Sequence, residues 1–102
     1  MAAKPIARLK ESNTKENLWM YVLRILEDGP THAYTIREEI SKRYGFRPGT
    51  MTAYKVLYGR KKRGLVTKRL DGRKKVYHIT AKGRAELEEA IRFYRDLLRA
   101  LA

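Results

Sequence analysis

The first strong pattern of apolar residues lies in the segment 14–30 and predicts a helix that is buried on more than one side. Asn13 is a candidate N-cap for this helix, and Glu16 stands three positions later, as in a capping box. The Asp-Gly-Pro run at 28–30 predicts its end. So wide an apolar surface is typical of the central helix of a small domain. Its apolar members are Leu18, Trp19, Tyr21, Val22, Ile25 and Leu26.

Two further helical patterns follow and are separated by a turn. The first is capped by Thr31 or His32, repeats apolar residues every three or four positions, and ends at Gly45. The second begins near residues 48–50, and Gly59 weakens it by about 1 kcal/mol relative to alanine, so that it can end there. A helical wheel assigns its core face to Met51, Tyr54, Leu57 and Tyr58. The same wheel assigns its outer face to Thr52, Lys55, Val56, Gly59, Lys62 and Arg63.

A β-hairpin is predicted next. Segments 65–70 and 74–80 are rich in β-branched and aromatic residues, as strands are. Between them, Asp71-Gly72 is a strong signal for a two-residue turn. The sequence therefore predicts two antiparallel strands directly after the third helix.

The last predicted helix follows Thr80, which is its candidate cap, and extends to the end of the sequence. Its apolar residues are spaced by four and three positions in alternation, as in a heptad seam. This seam favours pairing with a second copy of the chain, although it is also compatible with packing on its own domain. The predicted dimer interface comprises Leu87, Ile91, Tyr94, Leu98 and Leu101.

The order of elements, three helices, a hairpin and a helix, predicts the fold class. It is α+β, mainly α: a winged helix-turn-helix of three helices and a two-stranded wing, with a C-terminal dimerisation helix. We divide the chain into a basic N-terminal arm at 1–12, with at most a short helical turn, a winged-helix DNA-binding domain at 13–80, and the dimerisation helix at 81–102.

The distribution of charge along the chain indicates which kind of partner the protein binds. The 102 residues carry a formal net charge of +13, and thirteen of the 24 basic residues lie between positions 42 and 75, where Asp71 is the only acid. Concentration of one sign of charge in the third helix and the wing indicates a polyanionic partner such as duplex DNA. The chain has no cysteine and no apolar run of about 20 residues, so we expect a cytoplasmic protein that does not enter membranes.

Several motifs along residues 18–90 resemble those of the PadR-like winged-helix transcriptional regulators. They are LRILEDGPTHAYTI at 23–36, RPGTM at 47–51, the step from Tyr54 to Leu57, RGLV at 63–66 and YHITAKG at 77–83. The sequence departs from the family pattern at Ala33, where glycine is usual, and near Arg60, where leucine is usual. The resemblance implies a dimeric DNA-binding regulator, often a repressor, joined through its terminal helices.

The wheel and the charges together predict which residues contact DNA. Base edges are assigned to Thr52, Lys55 and Val56 on the outer face of the third helix, where valine suits a thymine methyl group. Phosphates are assigned to Thr50, Arg60, Lys61, Lys62, Arg63, Lys68, Arg69, Arg73, Lys74 and Lys75.

Other chemistries have little support in the sequence. His32 and His78 are too far apart in sequence to suggest a metal site, and the glutamates show no catalytic arrangement, so we expect neither a cofactor nor an enzyme. Whether a small-molecule effector exists is left open. Two alternatives to a DNA-binding regulator also stay open: an RNA-binding or ribosome-associated winged helix, and a winged helix that binds an acidic protein.

Overall fold

A computed structural model describes residues 4–102 of the chain; the first three residues of the predicted arm lie outside the described residues. Within that range the chain is mainly helical, with one two-stranded antiparallel sheet, which confirms the predicted fold class. The elements are α1 Pro5–Ser12, α2 Leu18–Glu27, α3 Ala33–Tyr44, α4 Thr50–Lys62, β1 Val66–Asp71, β2 Lys74–Ile79 and α5 Ala81–Leu101.

The beginning of the chain differs from the prediction. Pro5–Ser12 is a regular helix, with the proline at its first turn, where proline is tolerated best. Asn13 is the C-cap of α1 and not the N-cap of α2, which begins only at Leu18. The reason is that the Asn13 amide serves two other contacts: Nδ2 donates to Leu9 O at 2.8 Å, and Oδ1 accepts from the Tyr94 hydroxyl at 2.5 Å.

Tyr21 links this junction to the turn between α3 and α4. Its hydroxyl donates to Asn13 O at 2.6 Å. Its ring meets Tyr44 and Phe46 edge-on, with centroid distances of 4.8 and 5.0 Å, a favourable geometry for aromatic pairs. Burial, reinforced by the nearby Tyr94 and Tyr44, raises the pKa of Tyr21. One side chain on α2 therefore holds the end of α1 and the helix-turn-helix turn together.

Helix α2 lies at the centre of the molecule, as predicted. It packs against α3, α4, α5 and β2, and five of its residues are buried. Because these partners surround it, the wide apolar surface seen in its sequence is used on several sides. The buried set of α2 is Leu18, Val22, Leu23, Ile25 and Leu26.

The turn between α3 and α4 is built as the sequence predicts. Gly45 ends α3 with φ of 78°, a left-handed conformation that suits glycine. The Arg37 Nε atom donates to Pro48 O at 2.9 Å and so fastens the turn to α3. Helix α4 then runs past Gly59 to Lys62, so this glycine does not end it.

The hairpin pairs β1 with β2 in the register Val66 to Ile79 through Asp71 to Lys74. Its turn is therefore Gly72-Arg73, one position later than predicted. Gly72 has φ of 64° and no residue other than glycine has positive φ in the described chain, so glycine occupies the first central position, as a type II′ turn requires. Thr31 extends the sheet by exchanging two backbone hydrogen bonds with Tyr77.

The start of α5 is fixed against the base of the hairpin. Thr80 caps α5, because its Oγ1 accepts from Gly83 N at 3.0 Å, and the same hydroxyl donates to Gly64 O at 2.7 Å. Gly83 lies so close to β1 that an added Cβ would be 2.2 Å from Leu65 O. Leu87, one turn later, is buried in the core of the protomer.

The first prediction concerns the two helical glycines. Gly83→Ala should lower the stability of the fold by about 1–3 kcal/mol, because the new methyl group must displace Leu65 backbone or Ile79. Gly59→Ala is the matched control: nothing lies within 4 Å of its added Cβ, so it should raise stability by about 0.5–1 kcal/mol. Urea unfolding followed by circular dichroism measures both. Equal stability of the two variants would contradict the close contact.

Candidate nucleic-acid interface

The outer face of α4 is not the one that the helical wheel assigns. Ala53 and Leu57 are buried, whereas the exposed fractions of Met51, Tyr54 and Tyr58 are 72%, 44% and 64%. The wheel prediction that these three form the core face is therefore wrong. The small Ala53 lets α4 approach its neighbours closely, and the larger side chains are left pointing to solvent.

Two of the predicted DNA contacts consequently lie on the inner side of α4. Val56 is only partly exposed and packs against the hydrophobic core, so its side chain is not free to contact a base. The Arg60 guanidinium lies over the ring of Trp19, 5.8 Å from the centroid. Burial, reinforced by Arg63, lowers the pKa of Arg60, and Glu86 opposes that effect. Neither position favours the predicted contact, whereas Thr52 and Lys55 are at exposed positions.

The pleat of the hairpin divides the basic residues of the wing between two faces. Residues directly opposite in register share a face, so Lys68 and Lys75 lie on the side of the buried Tyr77. Arg69 and Lys74 lie on the other side, and Arg73 stands in the turn. The wing thus carries basic side chains on both of its faces and at its tip.

Three lysines from three elements, α4, β1 and β2, converge between α4 and the wing. Lys61, Lys68 and Lys75 line one depression together with Tyr54 and Tyr58. Repulsion by the charge of Lys61, and to a smaller extent by that of Lys75, lowers the pKa of Lys68. Such a shift requires the charges to be close together, so the structure has assembled a concentrated positive potential there.

The ion pairs of the described residues lie elsewhere. Asp28 accepts from Arg24 at 2.9 Å and from Arg43 at 2.5 Å, and these two arginines lower the pKa of Asp28. The others join Arg43 to Glu39 and Arg47 to Glu38. Between residues 4 and 102, no lysine or arginine of α4 or of the wing forms an ion pair. Their charges are thus available to an external anion.

The N-terminus of α4 has no side-chain cap. Gly49 is the N-cap and no side chain accepts a hydrogen bond from the first turn, which contains no acidic residue. Its first backbone N–H groups therefore have no capping acceptor, and such groups favour negative charge. Thr50, a predicted phosphate contact, is exposed at this position.

A second surface, apolar in character, lies along α5. Only Gly83 and Leu87 of its 21 residues are buried, so the rest of the helix extends beyond the core. We call its exposed large apolar residues the α5 apolar face; they are Ile91, Phe93, Leu97, Leu98 and Leu101. Leu87 belongs to the protomer core, which corrects its assignment to a dimer interface, and Tyr94 is partly buried by its contact with Asn13. The sequence pattern missed Phe93 and Leu97 because they fall outside a strict heptad.

Residues 4–102 contain no cluster of three or more His, Asp or Glu side chains that could hold a metal ion. No helix among these residues is long and apolar enough to cross a membrane.

Comparison with protein families gives a match over most of the chain. The family model described as "Transcriptional regulator PadR-like family" matches residues 22–89. The matched part includes α3, α4 and both strands of the wing. No curated protein sequence matches this chain.

Solved structures of this kind have the same fold. A PadR family transcriptional regulator from Eggerthella lenta superposes with a TM-score of 0.81 at 20% identity, over 94% of this chain and 88% of its own. A PadR-like transcription factor from Bacteroides fragilis gives 0.77 at 21% identity, over 92% and 95%. A PadR family regulator from Clostridium difficile gives 0.75 at 20% identity, over 81% and 92%.

The lowered pKa of Lys68 leads to a prediction about stability. Lys68→Gln should raise the thermal midpoint at neutral pH, because it removes a charge that Lys61 and Lys75 repel. The gain should shrink as the pH rises from the lowered pKa towards the ordinary lysine value of about 10.4, where the wild type loses that charge as well. Thermal unfolding at an ionic strength of about 0.01 M, where charges act over about 30 Å, measures this difference in thermal midpoint.

Lys15→Gln is the control for this experiment. Lys15 is exposed in the connection between α1 and α2, and its substitution removes the same charge from a different region. A rise in midpoint as large as that of Lys68→Gln would contradict local repulsion in the lysine cluster.

Proposed function

The chain belongs to the PadR-like family of transcriptional regulators, and from that premise we propose that it is a homodimeric repressor that reads specific double-stranded DNA. The coarser part of this statement, a DNA-binding regulator of transcription that is not an enzyme, follows from the family itself. The finer part rests on the geometry of α4, the wing and α5.

The observation that carries the proposal is the basic surface of α4 and the wing. Its cations lack internal carboxylate partners in the described residues, and its lysines repel one another. A polyphosphate relieves this repulsion and releases its own counterions on binding. An α-helix has the right diameter for the major groove, and a two-stranded wing reaches the neighbouring backbone.

We assign base contacts to the exposed N-terminal half of α4. Thr52 and Lys55 keep the roles expected from the sequence, and Met51 replaces Val56 as the apolar group for a thymine methyl. Arg60 is omitted from the phosphate contacts because it lies over Trp19. The proposed phosphate contacts are Thr50, Lys61, Lys62, Arg63, Lys68, Arg69, Arg73, Lys74 and Lys75.

The homodimer is proposed from the α5 apolar face. A helix that leaves large apolar residues in water along its free part is stabilised when a second copy covers them. A two-fold axis would place two α4 helices on one side of the dimer, and two linked half-sites add avidity. The exposed Ile6 and Leu9 of α1 offer further apolar area.

Repression and a cytoplasmic location are two further parts of the proposal. A small protein that covers promoter DNA blocks polymerase without needing an activating surface, so we propose a repressor. We place it in the cytoplasm, since the bacteria from which the similar structures come keep their DNA there.

Salt dependence tests the contact surface. Replacing Lys61, Lys68 and Lys75 by glutamine should flatten the plot of log affinity against log salt by up to about 0.9 per lost phosphate contact. The matched control replaces Lys4, Lys10 and Lys15, which are exposed and carry the same total charge. Fluorescence anisotropy with a duplex selected from a random pool measures both. Equal slopes for the two triple variants, or tighter binding of structured RNA than of duplex DNA, would contradict the proposal.

The dimer is tested by Leu98→Asp. Burying a leucine contributes about 1.5–3 kcal/mol, and a symmetric interface contains it twice, so the dimer dissociation constant should rise at least about 100-fold. Leu70→Asp is the control, because Leu70 on the wing is similarly exposed, at 72% against 68% for Leu98. Sedimentation equilibrium measures the mass.

DNA selection with the wild type and the Leu98→Asp variant tests the dimer in a second way. The wild type should recover two-fold symmetric sites with half-sites one helical turn, about 10 base pairs, apart. The Leu98→Asp variant should recover single half-sites. A wild type that sediments as a monomer, or a variant that remains dimeric, would contradict pairing through α5.

A further inference from the structure

Two depressions adjoin each other on the basic surface. The first, of about 520 Å³, lies between the start of α3 and the wing. The second, of about 200 Å³, lies between α4 and the wing. Tyr54, Lys75 and Tyr77 line both, so the two depressions are neighbours, and together they make one groove in the surface. We call it the aromatic groove, and its side chains that reach solvent include Tyr34, Tyr54, Tyr58, Lys61, Lys68 and Lys75.

The three exposed tyrosines of the groove do not contribute to the hydrophobic core, unlike the buried Tyr77. Tyr34 is 65% exposed, and Tyr54 and Tyr58 are exposed as well. In the described chain none of their hydroxyls forms a hydrogen bond, in contrast to those of Tyr21 and Tyr94. Single exposed apolar residues are ordinary on protein surfaces, but a cluster of rings in one concave site indicates a binding function.

The charges of the groove complement these rings. Lys61, Lys68 and Lys75 line the second depression of the groove, and the Lys62 ammonium lies 5.5 Å from the centre of the Tyr58 ring. Paired bases in a duplex expose only their edges, because their faces are stacked on their neighbours. Exposed rings beside a row of cations suit bases whose faces are free.

We propose that the aromatic groove binds single-stranded nucleic acid. Its tyrosines stack on unpaired bases and its lysines contact the phosphates, without a requirement for a particular sequence. This activity goes beyond duplex reading. Because the same three lysines are assigned to both, single strand and duplex compete for the protein.

The test compares an unstructured 15-residue oligothymidylate with an abasic deoxyribose phosphate chain of the same length. Fluorescence anisotropy at fixed salt measures the affinity of the full-length protein for each. The wild type should bind oligothymidylate more tightly by about 5- to 150-fold per stacked base. Equal affinity for the two chains would overturn the proposal, since phosphates alone would then account for binding, and so would no binding of either.

Two double variants separate stacking from other effects of the tyrosines. Tyr54→Leu with Tyr58→Leu removes both rings and should abolish most of the preference for oligothymidylate. Tyr54→Phe with Tyr58→Phe keeps the rings and should retain it. Loss of the preference in both pairs, or in neither, would overturn the stacking role, and the thermal midpoint of each variant checks that it is folded.

Duplex binding is measured in parallel with all of these proteins. If the wild type prefers oligothymidylate to the abasic chain but does not bind duplex DNA, this inference is supported and the proposed function is contradicted. If the wild type binds duplex DNA but has equal affinity for oligothymidylate and the abasic chain, the proposed function is supported and this inference is contradicted.

Discussion

The arrangement of the molecule depends on the packing that anchors a self-repelling hairpin. Val66 and Ile79 stand opposite each other in register and are both buried, and Thr80 N donates to Leu65 O at 3.1 Å. Gly83 approaches the same carbonyl so closely that no side chain fits. This contact fixes the wing to the start of α5.

The repulsion within the basic surface therefore lowers the stability of the fold and favours the binding of a polyanion. The apolar residues at the base of the hairpin and the buried side of α4 supply the free energy that holds like charges together. The ion-paired carboxylates of the described residues lie elsewhere, with Asp28 and Glu39 around Arg43. A surface left in this state is complementary to an external polyanion, and local rules are often broken in this way at functional sites.

Much of the fold could be predicted from the sequence because its signals are local. The Asp-Gly-Pro stop, Gly45, Thr80 and the hairpin glycine each act through a few neighbouring residues. The errors arose where tertiary contacts decide. Asn13 looks like an N-cap but is used by Tyr94 and Tyr21, and Leu87 continues a heptad but is needed in the core.

The face of α4 was the most informative error. A stripe of methionine and tyrosine at helical spacing looks like a core face, and the wheel cannot distinguish it from a binding face. Only the packing of Ala53 and Leu57 shows which side is inside. The charge pattern located the right region, because like charges cluster in sequence here, but it could not tell Arg60, which lies over Trp19, from its basic neighbours.

The most direct measurement of the central claim is a titration of the labelled protein with duplex DNA, followed by amide chemical shifts in NMR spectra. The account predicts that the largest changes fall in α4 and in both strands of the wing, with smaller ones around Tyr34. Largest changes on α1 or around the Asp28 ion pairs, with α4 and the wing unaffected, would contradict it.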